Sequence, residues 1–366
     1  MMPVPITGVD VAAFRVPTPE PEADGTATWG ATTLVVVHVR AADRTGLGWS
    51  YADPAAAGLV ARTLAPVVVG RDVMDVPALN EAMRRELRNV GLPGIGATAV
   101  SALDIGLWDL KARCCELPLV SLLGRAAPDV PVYGSGGFTS ETGGRLREDV
   151  IGWVEHDGIP RVKIKIGESW GAAVDRDLAR AAIARQAAGD EAELYVDANG
   201  GYRPGQARRV EAALRDLGVS WFEEPVSSDD LAGMAAVRAA SRADVAAGEY
   251  CWTLPSVAHL LDAGAVDCLQ ADVTRCGGIT VWREAAALAV GHGLQISAHG
   301  APQLSAHVAA CVPNARHIEW FADHVRIESL LFDGVLRPSH GSLRPDLERP
   351  GHGLTLRTGD AQRYEI

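Results

Sequence analysis

The hydrophobic and polar positions change their rhythm about a third of the way along the 366-residue chain. From about residue 130, short apolar runs alternate with Ala- and Arg-rich amphipathic stretches, such as residues 172–189. Eight such runs follow one another: "VPVYGSG", "RVKIKIG", "AELYVDANG", "VSWFEEP", "DVAAGEY", "DCLQADV", "LQISAHG" and "ARHIEWF". This alternation is typical of β-α units, and eight units in roughly 200 residues favour a closed (β/α) barrel. A Rossmann-type sheet is the alternative, but no G-x-G-x-x-G motif follows a strand.

The first part of the chain has a mixed pattern. The stretch "TTLVVVHVRAADRTGLGWSY" predicts a strand that turns through Gly46 and Gly48 into a second strand. The segments "DVPALNEAMRREL" and "TAVSALDIGLWDLKARCCE" predict helices, and the second is so apolar that we expect it between two layers. The sequence therefore predicts an α+β domain in front of the barrel.

The composition is that of a large globular protein with an acidic charge balance. Hydrophobic residues make up 48% of the chain, the net charge is −12 and the pI is about 5.3. Because a phosphate backbone requires a basic face, we expect no nucleic-acid partner. The start of the chain lacks a signal-peptide pattern, and no apolar run approaches the roughly 20 residues that span a bilayer. The six scattered cysteines indicate reduced thiols, so we expect a cytoplasmic protein without a membrane partner.

Lysine is rare in this chain, and two of its three lysines lie two residues apart. Lys163 and Lys165 belong to "RVKIKIG", and the third is Lys111. A spacing of two puts Lys163 and Lys165 on one face of a strand. An edge strand with one wet face is the simple explanation. Because arginine supplies every other fixed positive charge, and a buried lysine can lose its proton, we interpret the pair as a sign of proton chemistry.

Titratable residues recur at the ends of the predicted barrel strands, where functional groups of such barrels gather. In chain order they are Lys163, Lys165, Asp197, Glu223, Glu249, Asp272, His299 and Glu319. Asp197, Glu223 and Glu249 supply one carboxylate from each of three neighbouring strands, a hard oxygen set suited to Mg²⁺. Glu224 is an alternative to Glu223, because spacing alone does not decide between adjacent residues. The competing interpretation is that each acid is a separate surface or capping residue.

Seven motifs occur in an order and at intervals that resemble the enolase superfamily, and most closely its mandelate racemase subgroup. They are "KIKIG", "YVDANGGY", "WFEEPV", "AAGEYCW", "DVTRCGGIT", "SAHGAPQLSAH" and "HIEWF". The resemblance covers the chain from about residue 100 onward. It implies an α+β capping domain over residues 1–128 and a TIM-like barrel of the modified (β/α)7β form over residues 129–334. A C-terminal segment, residues 335–366, would return to the capping domain.

The resemblance also implies a role for each matching residue. Asp197, Glu223 and Glu249 would bind Mg²⁺, with Glu223 preferred over Glu224. Lys165 would be one base, with Lys163 beside it, and repulsion between the two ammonium groups would help to lower the pKa of one of them.

A second base is implied on the opposite side of the barrel. His299 would take this role with Asp272 fixing its tautomer, and Glu319 would hydrogen-bond the substrate carboxylate. Candidates for the substrate contacts or the surrounding shell are Ser135, Asn199, Glu224, Arg275, Trp49 and Tyr51, the last two on a loop over the site.

These implied roles predict a Mg²⁺-dependent enzyme that removes the proton α to a carboxylate. We expect the dehydration of an acid sugar to a 2-keto-3-deoxy acid, and a racemase or epimerase of a 2-hydroxy acid is the alternative. A cycloisomerase of the muconate type and a catalytically silent barrel are less favoured. The expected partners are a small carboxylate substrate and further copies of the chain, as a dimer or an octamer.

Overall fold

The chain begins with a three-stranded antiparallel sheet in the computed structural model, which describes residues 3–366. The strands are β1 (Ile6–Ala23), β2 (Thr28–Ala41) and β3 (Arg44–Tyr51), in the order β1-β2-β3. The helices that follow are α1 (Ala55–Leu59), α2 (Ala65–Val68), α3 (Val76–Glu86), α4 (Ile95–Cys114) and α5 (Leu119–Leu123). Both predicted helices are present as α3 and α4. Nearly every residue of α4 is buried, as its apolar sequence predicted.

The turn between β2 and β3 differs from the prediction. It lies at Ala42 and Asp43, where Ala42 has a φ of 51°. Gly46 and Gly48 lie inside β3 instead, where α4 passes too close for a side chain. A Cβ on Gly48 would lie 2.1 Å from the carbonyl oxygen of Ala102. The glycines therefore mark a close helix–strand contact rather than a turn.

Eight parallel strands form the second part of the molecule. They are β4 (Val130–Gly136), β5 (Arg161–Lys165), β6 (Glu193–Asp197), β7 (Val219–Glu223), β8 (Asp244–Ala247), β9 (Cys268–Ala271), β10 (Gln295–Ala298) and β11 (Ala315–Phe321). Each strand pairs with the next, and β11 pairs with β4. The closed barrel predicted from the sequence is thus confirmed.

Helices lie between the barrel strands and cover the outside of the barrel. They are α6 (Gly143–Ile151), α7 (Glu168–Gly171), α8 (Val174–Ala188), α9 (Pro204–Leu214), α10 (Leu231–Arg238), α11 (Leu254–Asp262), α12 (Gly278–Gly291), α13 (Pro302–Ala309) and α14 (Ala322–Leu331). None of the helices in the described part of the chain has the length and apolar character that crossing a bilayer requires.

The lower part of the barrel interior is a packed aromatic layer. Tyr133, Tyr195 and Trp221 are fully buried there with Ala246 and Cys268. Because this layer fills the barrel below the strand ends, the charged groups described below lie in the upper layer only.

The C-terminal residues connect the barrel to the N-terminal sheet. They form β12 (Phe332–Asp333), β13 (Ser342–Leu343), β14 (Thr355–Leu356) and α15 (Thr358–Ala361), and β13 pairs with β4. The carboxylate of Asp109 on α4 accepts the backbone N–H groups of Leu47 (2.8 Å) and His352 (2.9 Å). The N–H of Ile366 donates to the carbonyl of Ala13 at 3.0 Å. His352 therefore contacts both α4 and β3, since its Nε2 also lies 2.8 Å from the carbonyl oxygen of Leu47, and Ile366 adds a contact to β1.

Candidate active site

Lys163 and Lys165 point into the barrel from β5. Their exposed fractions are 0% and 4%. The simple explanation, an edge strand with one face exposed to solvent, is therefore wrong, since β5 pairs with a strand on each side. Lys163 Nζ lies 2.5 Å from Glu223 Oε1, 2.8 Å from Glu319 Oε1 and 3.7 Å from Asp197 Oδ2. Lys165 donates to the Asp197 carboxylate.

The pKa values of the two lysines differ from the expectation. Burial lowers the pKa of each, and Lys163 lowers that of Lys165, as predicted. The carboxylates of Glu223, Glu319 and Asp197 outweigh these effects at Lys163, and those of Asp197, Glu319 and Glu249 do so at Lys165, so both pKa values lie above the ordinary value. The predicted low pKa of one lysine is thus wrong for the site as it stands, because the surrounding acids hold the ammonium form.

His299 lies between two carboxylates at the end of β10. Its Nδ1 is 2.7 Å from Asp272 Oδ2, and its Nε2 is 2.8 Å from Glu249 Oε2. Burial lowers the pKa of His299, but Glu249 and Glu319 together with the Asp272 hydrogen bond raise it to about 10. The expected His299–Asp272 pair is present, and its contact with Glu249 was not foreseen.

Asp272 is itself held in place from two directions. The backbone N–H and the hydroxyl of Thr274 donate to Oδ1 at 2.6 and 2.7 Å, and Arg275 Nε lies 3.3 Å from Oδ2. Burial raises the pKa of Asp272, yet His299, Arg275 and Thr274 bring it below the ordinary value. A carboxylate kept ionised in this way fixes the orientation of the His299 ring.

Glu319 closes the ring of charges at the end of β11. Its Oε1 accepts the hydroxyl of Ser135 at 2.7 Å, and its Oε2 accepts the N–H of Gly300 at 3.0 Å. Burial raises the pKa of Glu319, but Lys163 and His299 lower it well below the ordinary range. Glu319 and its neighbour Ser135 thus form a buried, ionised hydrogen-bonding unit between the two candidate bases.

The oxygens expected to bind a metal ion belong to Asp197, Glu223 and Glu249, and each of these carboxylates forms ion pairs with side chains of the protein. Among residues 3–366 no three acidic, His or Cys side chains are gathered as a metal cluster. Lysine, histidine and arginine groups contact the oxygens of Asp197, Glu223 and Glu249 instead. Among the buried oxygens that have no hydrogen-bond partner in the described chain, Asn199 Oδ1 and Glu224 Oε1 belong to residues next to the candidate ligands. Asn199 and Glu224 also have positive φ angles of 45° and 36°.

The charges of the site do not balance. The six carboxylates are those of Asp197, Glu223, Glu224, Glu249, Asp272 and Glu319, and the four cations are Lys163, Lys165, Arg275 and the protonated His299. Burial raises the pKa of Glu223 to about 8 and that of Glu224 well above its usual range. The raised pKa values show that the site has too little positive charge to keep all of its buried acids ionised. Together with the unpartnered oxygens, this fits a site that accepts a further hard cation.

Above the charged layer lies a cavity of about 460 Å³, a size typical of small-molecule sites. Lys165, His299, Glu249, Arg275 and Asn199 line it from the barrel, and parts of residues 24–54 line it from the N-terminal sheet. The hairpin tip sits directly on the barrel mouth, since the carbonyl of Gly25 accepts the N–H of Trp170 at 2.9 Å.

Trp49 and Tyr51 differ from the predicted loop, because both lie on strand β3. Tyr51 lines the cavity and stacks on His324, with ring centroids 3.4 Å apart. Trp49 is fully buried against Phe332 and His352 and does not reach the cavity. A spacing of two puts both side chains on the same face of β3. Tyr51, the last residue of the strand, reaches the cavity, whereas Trp49 lies further back along the strand and stays in the core, so only Tyr51 belongs to the site.

Four acidic or histidine residues of the cavity were not predicted from the sequence. Asp24, Asp53, Asp323 and His324 all line the cavity. His324 follows Glu319 by five residues in "HIEWFADH", so its position just beyond a barrel strand was the available signal. Asp24 and Asp53 lie far in sequence from the ends of the barrel strands. Only the packing of the N-terminal sheet on the barrel brings them to the cavity.

A lysine and a histidine facing one carboxylate-rich cavity at the mouth of a barrel define an active site of the proton-transfer class. Residues 145–361 match the family model described as enolase C-terminal domain-like. Residues 7–124 match the mandelate racemase/muconate lactonizing enzyme N-terminal domain. The chain therefore belongs to the mandelate racemase/muconate lactonizing enzyme family, as the motifs predicted.

Two curated relatives show the range of activities in this family. The 3,6-anhydro-alpha-L-galactonate cycloisomerase of Streptomyces coelicolor is 31% identical over 94% of both chains. The L-talarate/galactarate dehydratase of Salmonella typhimurium is 30% identical over 88% of this chain and 80% of its own.

Two solved structures are similar over nearly the whole chain. A mandelate racemase/muconate lactonizing enzyme-like protein from Rubrobacter xylanophilus has a TM-score of 0.95 and 47% identity, covering 99% of both chains. A racemase from Streptomyces coelicolor A3(2) with bound magnesium has a TM-score of 0.93 and 29% identity, covering 99% of this chain and 100% of its own.

Proposed function

We propose that this protein removes the proton α to the carboxylate of an acid sugar and expels the β-hydroxyl, giving a 2-keto-3-deoxy acid. The observation that carries this proposal is that Lys165 and His299 face the same cavity from β5 and β10. These strands are three positions apart around the barrel. One group therefore reaches the α-carbon while the other reaches the leaving hydroxyl.

We further propose that Asp197, Glu223 and Glu249 hold Mg²⁺, with Asn199 and Glu224 beside it. The support comes from the hard oxygen donors, the excess of buried acid and the magnesium in a similar structure. Held by these residues, Mg²⁺ would supply positive charge that stabilises the negative charge developing on the substrate when the α-proton leaves. When these three carboxylates share their charge in this way, less of it holds the ammonium form of Lys165, and its pKa falls.

The proton transfers follow from the positions of the two bases. Lys165, once neutral, takes the α-proton, and the electron pair of the C–H bond becomes the carbon–carbon double bond of an enol. His299, protonated and held by Asp272, gives its proton to the β-hydroxyl, which leaves as water as the C–O bond breaks. The enol then takes a proton on carbon from solvent and loses its hydroxyl proton to solvent, which gives the 2-keto acid. Lys163, held in place by Glu319, supplies positive charge toward the carboxylate end of the substrate from the floor of the site.

A cycloisomerase is the second candidate, since one relative at 31% identity carries that name. The same two groups serve it, with a ring oxygen as the leaving group instead of a hydroxyl. A racemase or epimerase would use the same bases without loss of the β-substituent.

A turnover screen distinguishes these functions. Acid sugars and their anhydro and lactone forms are incubated with Mg²⁺, and products are followed as 2-keto acids and by α-proton exchange from D₂O. We expect keto acid from at least one acid sugar. Ring opening without water loss would favour the cycloisomerase, and exchange without keto acid would favour the racemase.

Variants of the two bases provide the matched control. Lys165→Ala and His299→Asn should lower kcat/KM by about 10²- to 10⁴-fold, the range of a positioned acid or base. Lys111→Ala, which changes the third lysine far from the cavity, should keep the activity. Equal inertness of the parent and the base variants across the whole screen would contradict the proposal and favour a silent barrel.

We also propose the domain limits 1–128, 129–334 and 335–366 and an assembly of two or eight copies acting on a small carboxylate. The matched ranges 7–124 and 145–361 and the start of β4 at Val130 support the first limit. Sedimentation velocity of the full chain tests the assembly, and a monomer at micromolar concentration would contradict it.

A further inference from the structure

We propose that this site takes acid sugars with a single carboxylate, the aldonates, and discriminates against the corresponding dicarboxylates, the aldarates. The inference rests on the proposed function and extends it to the distal end of the substrate. The proximal carboxylate belongs to the charged layer of the barrel. The rest of the substrate meets the cap wall, which we define as the cavity-lining part of residues 24–54 together with Asp323 and His324.

The cap wall carries negative charges and no positive one. Its charged residues are Asp24, Asp53 and Asp323. One oxygen of Asp53 caps the N–H of Ala55 at 2.8 Å, and one oxygen of Asp24 accepts the N–H of Thr26 at 2.6 Å. In both aspartates no contact of the described chain engages the second oxygen, which can accept a hydroxyl of the substrate.

The cations nearest to the cap wall are already engaged. Lys165 is paired with Asp197, and Arg275 lies 3.3 Å from both Glu249 and Asp272. Both of these cations belong to the barrel side of the cavity.

Arg326 approaches the cap wall from behind. Its guanidinium lies 2.6 Å from Asp323 and lines a neighbouring cavity rather than this one. A second carboxylate of a substrate would therefore find no free guanidinium or ammonium group to receive it.

His324 contributes a neutral donor rather than a charge. Its Nδ1 accepts the backbone N–H of Ala301 at 3.0 Å, so the ring is unprotonated on that nitrogen. The proton must then be on Nε2. The stack against Tyr51, with planes 3° apart, fixes the ring in the cavity wall. Carboxylate acceptors beside a neutral N–H donor suit a chain of hydroxyl groups.

A second carboxylate would be desolvated beside like charges. Placing like charges next to each other in a binding site costs enough to reduce affinity by about 10²-fold or more. Hydroxyl groups in the same positions meet acceptors and a donor. The cap wall therefore discriminates at the far end of the substrate, whatever the chemistry at the near end.

Binding to an inert enzyme tests the inference independently of turnover. Isothermal titration of the Lys165→Ala protein with Mg²⁺ compares pairs of equal chain configuration, such as galactonate with galactarate and gluconate with glucarate. We expect the aldonate of each binding pair to have a Kd about 10²-fold lower. Equal or tighter binding of the aldarate would overturn the inference, and so would a failure of every aldonate to bind.

A charge placed in the cap wall gives the reciprocal test. Thr33 lines the cavity from β2, and Thr33→Arg should reduce the aldonate preference at least tenfold, whereas Thr33→Gln, of similar length and neutral, should retain it. Unchanged aldarate affinity in a folded Thr33→Arg protein would count against the inference. Tight aldonate binding without any turnover by the parent enzyme would refute the proposed function and leave the inference standing.

Discussion

At the scale of single residues, the ion pairs of Lys163 hold its ammonium group too firmly for it to act as a base. Its ammonium group contacts the carboxylates of Glu223 and Glu319 at 2.5 and 2.8 Å, and it lies over the ring of Tyr133. A group fixed by two acids from different strands cannot swing toward a substrate carbon. We therefore assign Lys163 to holding the floor of the site and leave the proton transfer to Lys165.

Glu328 on α14 should make the free energy of unfolding depend on pH. It is fully buried behind the cap wall, and its Oε1 has no hydrogen-bond partner among the described residues. Burial raises its pKa to about 8, against the N–H of Gln303, which lowers it. The folded state thus holds a proton that the unfolded state releases near its ordinary pKa of 4.5. The contribution of Glu328 to stability is present below that pH and is lost as the pH rises toward 8.

Glu328→Gln should remove this loss. We expect the free energy of unfolding of the variant, relative to the parent, to rise by about 1.4 kcal/mol per pH unit between pH 5 and 8. Urea unfolding at several pH values measures the difference. Parallel stability curves for the two proteins would contradict the raised pKa.

Rare residue types made the bases of the site predictable from the sequence. The residues of the cap wall were not predictable in this way. The scarcity of lysine and the periodic titratable strand ends pointed to Lys165 and His299. Asp53 and His324 carried no such signal, because their role depends on how two separate parts of the chain pack. The lowered pKa of one lysine was mispredicted because the number of acids around the pair is a property of the folded barrel.

At the scale of elements, the contact between β3 and α4 determines where Tyr51 lies. Gly48 has the backbone of α4 against it, with Ala102 O and Gly106 N within 2.4 Å of the place a Cβ would occupy. Gly48→Ala should push the two elements apart and lower the free energy of unfolding by about 1–3 kcal/mol. Thermal or urea unfolding measures the loss.

The control for this change is Gly30→Ala on β2, where a Cβ would meet nothing within 4 Å. We expect it to change stability by no more than about 0.5 kcal/mol. Equal effects of the two substitutions would show that lost backbone freedom, and not the close approach, explains the glycine. The same contact shows why the predicted turn was misplaced, because glycine serves both turns and tight packing, and a local pattern cannot distinguish them.

At the scale of the whole molecule, the barrel and its eight strands were predictable because the strand–helix alternation is repeated along the sequence. The seating of the N-terminal sheet was not, since it depends on contacts between distant residues such as Gly25 and Trp170. The charge imbalance in the barrel is likewise a property of the assembled molecule. It leads to a prediction about metal binding and global stability.

Mg²⁺ should stabilise the folded protein as a whole. A ligand present at 100 times its Kd adds about 2.7 kcal/mol to the free energy of unfolding, so metal-stripped protein should gain several degrees in Tm on addition of Mg²⁺. The gain should disappear in Asp197→Asn and persist in Asp333→Asn, which changes an exposed acid away from the barrel. An equal gain in both variants would place the ion elsewhere.

The hydrogen bonds of Asp109 to Leu47 and His352 have a consequence for how the chain acquires its shape during synthesis. The strands beside Leu47 leave the ribosome early, whereas His352 and Ile366 leave it much later. The contacts that join these late residues to the sheet above the barrel can therefore form only after the barrel strands have been synthesised.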